Sequence, residues 1–259
     1  KKKKEINFRE MSTCEATIQM LQKAAADGVE TAFTRAAEMK ACPIGADSAC
    51  CKHCFMGPCR LNAKDPYSRV GVCGANIDTI AARNFARMVA SGCAAHTDHG
   101  MVMLDVFREV VRGNIKGYKI TDEAKLRSVA ASIDIEVADR DVADIAKDLY
   151  EELERTYTQV EGEIPFVKRV PPKTLETWRK AGVVPRGAMR EIMEIMHRTH
   201  MGVYQNYENI TKQCSRTALA DGWGGSMVAT EISDILFGTP VPHVAGVNMG
   251  FLKEDQVNI

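Results

Sequence analysis

Cys50-Cys51-Lys52-His53-Cys54-Phe55-Met56-Gly57-Pro58-Cys59-Arg60 carries four of the nine cysteines in this 259-residue chain. Cys42 precedes it and Cys73 follows, in Gly71-Val72-Cys73-Gly74, so six cysteines fall between Cys42 and Gly74. The same segment contains four glycines and three prolines, and no helical period survives in it. A loop of that composition needs something other than a hydrophobic core to hold it. The spacing is Cys42-x7-Cys50, then Cys51-x2-Cys54-x4-Cys59-x13-Cys73. The last four form a complete set of thiolates, which is what a [4Fe–4S] cluster needs. Gly57-Pro58-Cys59 and Gly71-Val72-Cys73-Gly74 let the backbone fold closely around the sulfurs, with amide N–H groups free to bond to them. Structural zinc is the main rival, but its usual pattern is two facing C-x2-C knuckles, and only one exists here. Unligated buried thiols are the third reading.

Cys50 and Cys51 are adjacent, so their side chains point in different directions and one of them serves another centre. Cys42 and Cys50 are then left over, and two thiolates are half of what a cubane requires. A two-fold dimer in which each protomer supplies two would place one cluster on the symmetry axis. A labile disulfide or two spare thiols are the alternatives.

Composition narrows the remaining function classes. The apolar fraction of 45% and charged fraction of 26% are those of an ordinary globular protein. Thirty-four basic residues balance thirty-four acidic ones, leaving no electrostatic footprint for nucleic acid or an anionic membrane. The run Lys1 to Lys4 is too short to change that. No stretch approaches the roughly 18 to 20 apolar residues of a membrane span, and the N-terminus lacks the apolar core of a signal peptide. A cytoplasmic location is expected, where a reducing environment turns cysteines toward metal ligation or redox chemistry. The first residue is Lys, and Asp255 to Ile259 stops as a strand-like run begins, so a piece of a longer polypeptide is expected.

The pattern is mostly helical. Ser12-x-x-Glu15 reads as a capping box opening a helix through Ala26, stopped by Gly28. A second helix is expected from about Glu30 to Lys40. Asn76 caps a helix to about Ser91, with Ile77, Ile80, Ala81, Phe85, Met88 and Val89 on one face. Further helices are expected over His99 to Arg112, Thr121 to Ser132, Asp141 to Thr156, Lys173 to Ala181, Gly187 to Thr199 and Ser226 to Leu236. Ile164 to Pro172 reads as a linker or short extended segment, because Pro165, Pro171 and Pro172 deny it a helix. Gly238-Thr239-Pro240-Val241-Pro242 breaks the pattern again, and Gln256 to Ile259 reads as the first strand of another domain. The divisions are N-terminal helices at 1–41, the cysteine segment at 42–75, a helical domain at 76–237, and a new domain beginning at 238–259.

At this point the residues resemble a known family. Cys50 to Arg60, followed by Gly71-Val-Cys73-Gly-Ala-Asn-Ile-Asp-Thr-Ile-Ala-Ala-Arg83, is similar to the N-terminal part of the anaerobic nickel-containing carbon monoxide dehydrogenases. The resemblance continues through Ala94-Ala-His96-x-x-His99-Gly, Glu194-Ile-Met-His197-Arg-Thr and Asp234-Ile-Leu-Phe-Gly-Thr-Pro240. Phe55-Met56 and Asn62-Ala-Lys-Asp-Pro66-Tyr look most like the subunit that partners acetyl-CoA synthase in acetogens. The resemblance implies a mainly α fold: an N-terminal helical domain with a cysteine-rich iron–sulfur loop, then the start of a Rossmann-like α/β domain. It implies that Cys51, Cys54, Cys59 and Cys73 hold an internal [4Fe–4S] cluster, and that Cys42 and Cys50 hold half of a cluster shared across a homodimer. The family's reaction is reversible oxidation of CO with water to CO2, two protons and two electrons at a nickel–iron–sulfur cluster. The His among that cluster's ligands follows the strand beginning here at Gln256, so no catalytic ligand is expected before Ile259. The implied role is electron transfer to a ferredoxin-like acceptor, with an acetyl-CoA synthase subunit as partner.

His96 and His99 share a helical face, and in the family a histidine ladder here carries protons. Two of its usual rungs are Val102 and Asp105 in this chain. His197 and His200 repeat the spacing, and one hydrogen-bonded core histidine plus one exposed histidine is expected. Cys14, Cys93 and Cys214 read as buried small hydrophobes. Met189, Met193 and Met196 form a stripe whose default is core packing, with an apolar gas channel as the alternative. Gly222-x-Gly224-Gly225 lacks a preceding strand, which rejects a phosphate loop. A stand-alone iron–sulfur electron-transfer or redox-sensing module is the alternative function. A hybrid-cluster protein shares the architecture but has a different cysteine spacing.

Overall fold

The computed structural model describes residues 7–241. The strand expected from Gln256 to Ile259, and with it the start of a Rossmann-like domain, lies outside the described residues. The chain divides into two compact units, and among the described residues these are 7–42 with Val241, and 43–240.

In the first unit a 3-10 turn over Phe8–Glu10 precedes helices α1 (Glu15–Ala26) and α2 (Ala32–Glu38). The expected Ser12–Glu15 capping box does not form. Cys14 is the N-cap, and the Ser12 hydroxyl accepts from the Cys14 N–H at 3.1 Å. Such a local turn competes with capping for the same hydroxyl. The reciprocal cap belongs to α2, where Thr34 N–H donates to Thr31 Oγ1 (3.2 Å) and Thr31 N–H to Thr34 Oγ1 (2.9 Å). Cys14 is half-buried, not a core residue.

The second unit begins with a one-turn helix α3 (Pro43–Ala46) and a two-residue antiparallel ladder, β1 (Cys50–Cys51) with β2 (Cys59–Arg60). Cys50 pairs with Arg60 and Cys51 with Cys59. Helix α4 (Ile77–Val111) follows and organises the rest. Asn76 caps it as expected, its Oδ1 accepting from the Thr79 N–H at 2.9 Å. The two helices expected on either side of Gly92 are this single helix of 35 residues. A glycine costs a helix only about 1 kcal/mol, and burial against the helices that follow outweighs it. The buried face is Ile80, Ala86, Ala90, Cys93, Leu104 and Phe107, whereas Phe85 and Met88, expected on that face, are exposed.

Helices α5 (Glu123–Ala131), α6 (Val142–Thr158), α7 (Pro172–Ala181), α8 (Ala188–Arg198), α9 (Tyr207–Ala220) and α10 (Met227–Phe237) complete the unit. Asp122 caps α5, and Gly182 ends α7 at φ 66°. Helix α9 was not anticipated, although Asn206 caps it and Ile210, Cys214 and Thr217 mark its buried face. A π-helical turn over Asp221–Ser226 joins it to α10, so Gly222-x-Gly224-Gly225 lies inside helical backbone. Ile164 to Pro172 is no linker: Pro165–Arg169 is a 3-10 turn whose Phe166 and Val167 are buried, and Pro172 opens α7, where its missing N–H costs nothing.

The main core lies between α4, α5, α6 and α10, around Phe107, Leu126, Ile145, Leu149, Ile232 and Ile235. Fully buried Glu191 on α8 is held by Arg186 Nε at 2.9 Å and Arg216 Nε at 2.8 Å. Met189, Met193 and Met196 lie on exposed α8 surface, which corrects the expectation of core packing.

The two glycines within α4 have opposite surroundings. A Cβ on Gly92 would meet nothing within 4 Å, whereas one on Gly100 would collide with the Tyr157 hydroxyl and come within 2.7 Å of the Gly225 carbonyl. Gly92→Ala is expected to raise stability by up to about 1 kcal/mol. Gly100→Ala is expected to lower it by about 1–3 kcal/mol through overpacking. Urea unfolding of the two variants side by side checks both signs.

Candidate metal centre

Three polar residues at four-residue spacing on α4, Thr79, Arg83 and Arg87, lie on one face of the helix. Each bonds to the segment after α8. Thr79 Oγ1 donates to the Gln205 carbonyl at 2.6 Å, Arg83 Nη2 to the Tyr204 carbonyl at 2.7 Å, and Arg87 Nε to Thr199 Oγ1 at 2.7 Å. That segment lies against Cys73: Gln205 Nε2 donates to the Cys73 carbonyl at 2.9 Å, and a Cβ on Gly202 would stand 3.0 Å from the Cys73 Cβ. Gly202 also has φ +70°, which glycine adopts without strain.

Asn84, next to Arg83, fixes the other side of the segment. Its Nδ2 donates to the Ser48 carbonyl (3.0 Å) and the Cys50 carbonyl (3.2 Å), which leaves Oδ1 to accept from His53 Nε2 at 2.8 Å. Burial holds the half-buried His53 imidazole below its ordinary pKa.

Cys51, Cys54, Cys59 and Cys73 line one cavity, together with Gly71, Val72 and Arg83. Cys51 is buried against Leu61, Ala75 and Ile80, while its neighbour Cys50 is only half-buried and does not line the cavity. Alternation along a strand sends adjacent side chains to opposite faces, which accounts for this divergence. Gly57 is required where it stands, since a Cβ there would come within 2.9 Å of the Cys51 carbonyl. The Val72 N–H donates to Cys59 Sγ at 3.4 Å, and Arg83 Nη1 to Cys73 Sγ at 3.5 Å. Burial pushes the Cys73 thiol up, yet its contacts with Arg83, the Ala75 backbone and Gln205 leave it below the ordinary value.

This donor set fits a thiolate-ligated inorganic cluster. Four sulfurs, an amide N–H aimed at one of them and a buried cation beside another are what an anionic iron–sulfur group needs. Among the described residues no group of three or more His, Cys, Asp or Glu side chains is gathered to hold a single metal ion.

Sequence reasoning missed Arg83 and Asn84. Neither belongs to a ligand motif, and the partners that give them meaning lie up to 122 residues away. Cys42 is exposed in the first unit and Cys50 is in the second. His96 and His99 are exposed on α4, and His96 Nδ1 lies 2.8 Å from Asp221 Oδ1. Asp105 pairs with Arg108 at 2.7 Å. His197 and His200 are both exposed, so the core histidine expected there is absent. Cys93 and Cys214 are buried as expected; burial raises both thiols, Cys93 from 9.0 to about 12.

A family model described as the Prismane/CO dehydrogenase family matches residues 49–259. Carbon monoxide dehydrogenase 1 of Methanosarcina acetivorans is 43% identical over 251 residues, covering 96% of this chain and 40% of that protein. The carbon monoxide dehydrogenase/acetyl-CoA synthase subunit beta of Moorella thermoacetica is 37% identical, covering 96% of this chain and 38% of that one. Among solved structures, the Ni-free, as-isolated carbon monoxide dehydrogenase from Thermococcus sp. AM4 superposes with a TM-score of 0.84 at 41% identity, covering 98% of this chain and 40% of that one. The chain thus spans about 40% of the length of the curated relatives it matches.

Two predictions follow from the site's surroundings. Asn84→Ala strands the Ser48 and Cys50 carbonyls and is expected to cost about 1–3 kcal/mol in urea unfolding. Between pH 9.0 and about 12 the folded chain keeps the Cys93 proton that the unfolded chain has lost. Stability therefore falls as pH rises through that window, by up to about 1.4 kcal/mol per pH unit. Cys93→Ala removes this share, so the urea midpoint of the variant should decline less steeply from pH 9 to 11 than that of the parent.

Proposed function

The chain belongs to the Prismane/CO dehydrogenase family, and from that premise we propose that it is the N-terminal, electron-transferring part of a nickel–iron–sulfur carbon monoxide dehydrogenase. The single observation that carries the proposal is the cavity lined by the Cys51, Cys54, Cys59 and Cys73 thiols. On this reading those four hold an internal [4Fe–4S] cluster, which supplies a one-electron relay when bound. The surrounding residues hold and shield the thiolates. The Val72 N–H and Arg83 donate to sulfur, while Leu61, Ala75 and Ile80 pack behind Cys51 and keep water away.

Cys42 and Cys50 are proposed to supply half of a second cluster, completed by the same pair from another copy. Two thiolates per protomer serve a [4Fe–4S] or a [2Fe–2S] centre equally well. Exposed Phe55, Met56, Val70 and Val72 in the same segment support a homodimer, because apolar surface of this kind gains stability when covered.

The complete enzyme is proposed to convert CO and water to CO2, two protons and two electrons, reversibly, and to deliver the electrons to a ferredoxin-like acceptor. Ligands of the nickel–iron–sulfur cluster are proposed to lie beyond Ile259, and no catalytic residue is proposed within this chain. Acetyl-CoA synthase, named with the Moorella relative, is the proposed partner subunit. His96 and His99 are the proposed start of a proton relay. The Asp221 contact orients the His96 ring, and Val102 and Asp105 mark where the relay departs from an all-histidine ladder.

Anaerobic purification of the full-length protein, with iron, sulfide and nickel analysis, tests the reading. Cys54→Ser and Cys59→Ser are each expected to lower iron by about four atoms per chain and to abolish CO-dependent reduction of a viologen dye. Zinc in place of iron, with no acid-labile sulfide, overturns the proposal.

A further inference from the structure

The geometry points to Arg83 as the fixed counter-charge of the cysteine cavity, a positioning residue that stabilises the more negative, reduced state of the group held there. This assignment rests on the reading of that cavity as an iron–sulfur site. Arg83 is 1% exposed, the largest fully buried side chain in the described structure. Half-buried Arg186 and Arg216 meet Glu191 and Glu194, and half-buried Arg87 and Arg127 bond to neutral oxygens, but none of these is buried as completely as Arg83. Among the described residues Arg83 has no carboxylate within ion-pair distance. Its Nη2 donates to the Tyr204 carbonyl and, at 3.5 Å, to Gln205 Oε1, both neutral, and its Nε has no partner. Its remaining contact is Cys73 Sγ at 3.5 Å.

A guanidinium buried without an anion is strongly unfavourable, and arginine stays charged across the accessible pH range. The negative charge therefore has to come from the cavity that Arg83 lines. Four thiolates around an iron–sulfide core supply it. One electron from a low-potential donor adds one further negative charge to that core without breaking a bond. A fixed cation against one ligand sulfur, inside a low-dielectric pocket, lowers the energy of the reduced state more than that of the oxidised state and so raises the potential. The same side chain grips the covering segment at Tyr204, so its charge is held in position relative to Cys73 and does not swing into solvent.

The test uses the full-length protein, purified anaerobically, with Arg83→Gln and Arg83→Lys compared by iron and sulfide content and by dithionite titration followed through the cluster's EPR signal. Arg83→Gln is expected to retain iron and to show about a tenfold lower reduced-to-oxidised ratio at the parent's midpoint, equivalent to 59 mV for a one-electron couple. Arg83→Lys, which keeps the charge, is expected to titrate close to the parent. Arg83→Gln that keeps its iron and titrates like the parent overturns the assignment. If Arg83→Gln loses its iron, Arg83→Lys decides: iron retained at the parent's potential supports the counter-charge, and iron lost from both variants overturns it in favour of a role in shape alone. A parent protein with no iron–sulfur signal refutes the cavity reading itself, which is a different failure from an unchanged Arg83→Gln.

Discussion

Thr79, Arg83 and Arg87, one helical turn apart on α4, fasten the segment after α8 down onto Cys73, and the cysteine region has shape because of them. That region buries little of its own. Its apolar nucleus is Cys51, Leu61, Ala75 and Ile80, too small to order more than thirty residues rich in glycine and proline. Order is imposed instead from one continuous 35-residue helix whose far half is anchored in the main core through Leu104 and Phe107. Asn84 extends the same control to the other side of the loop by satisfying the Ser48 and Cys50 carbonyls. The thiols are therefore positioned from outside the loop, by a rigid element and hydrogen bonds of definite direction.

The second unit solves the problem of buried charge in two ways. Around α8 and α9, Glu191 and Glu194 are surrounded by Arg186, Arg198 and Arg216, so each ion is compensated within the protein. Although burial opposes it, this arrangement leaves the Glu194 carboxyl below its ordinary pKa. Beneath the cysteine segment the compensation is not made by a side-chain acid. On the proposed reading of the cavity, the difference separates an ion network that locks helices together from a site whose charge is balanced by a bound cluster.

How far the sequence foretold this follows from the range of the interactions. The ligand candidates were legible because four cysteines at close spacing carry their meaning locally. The helix start at Asn76 was legible for the same reason, since caps are decided within a turn or so. The unity of α4 was not, because a weak local break at Gly92 is overruled by packing along the helix's whole length. The Met189, Met193 and Met196 stripe shows the converse: helical spacing identifies an apolar face but not whether anything in the described chain covers it. Arg83 and Asn84 were invisible for a third reason. A buried arginine is indistinguishable from a surface one until the segment around Tyr204 is seen returning to meet it.

That return has a consequence in time as well as in space. The ribosome makes Cys73 132 residues before Gln205, whose side chain closes on the Cys73 carbonyl. At about 5–20 residues per second, Cys73 precedes its cover by roughly 7 to 26 s. All four thiols can leave the exit tunnel within that interval, facing solvent on a loop with almost no core. Arrival of residues 199–205 then covers Cys73, so the two sides of the thiol cavity come from parts of the chain made at widely separated times.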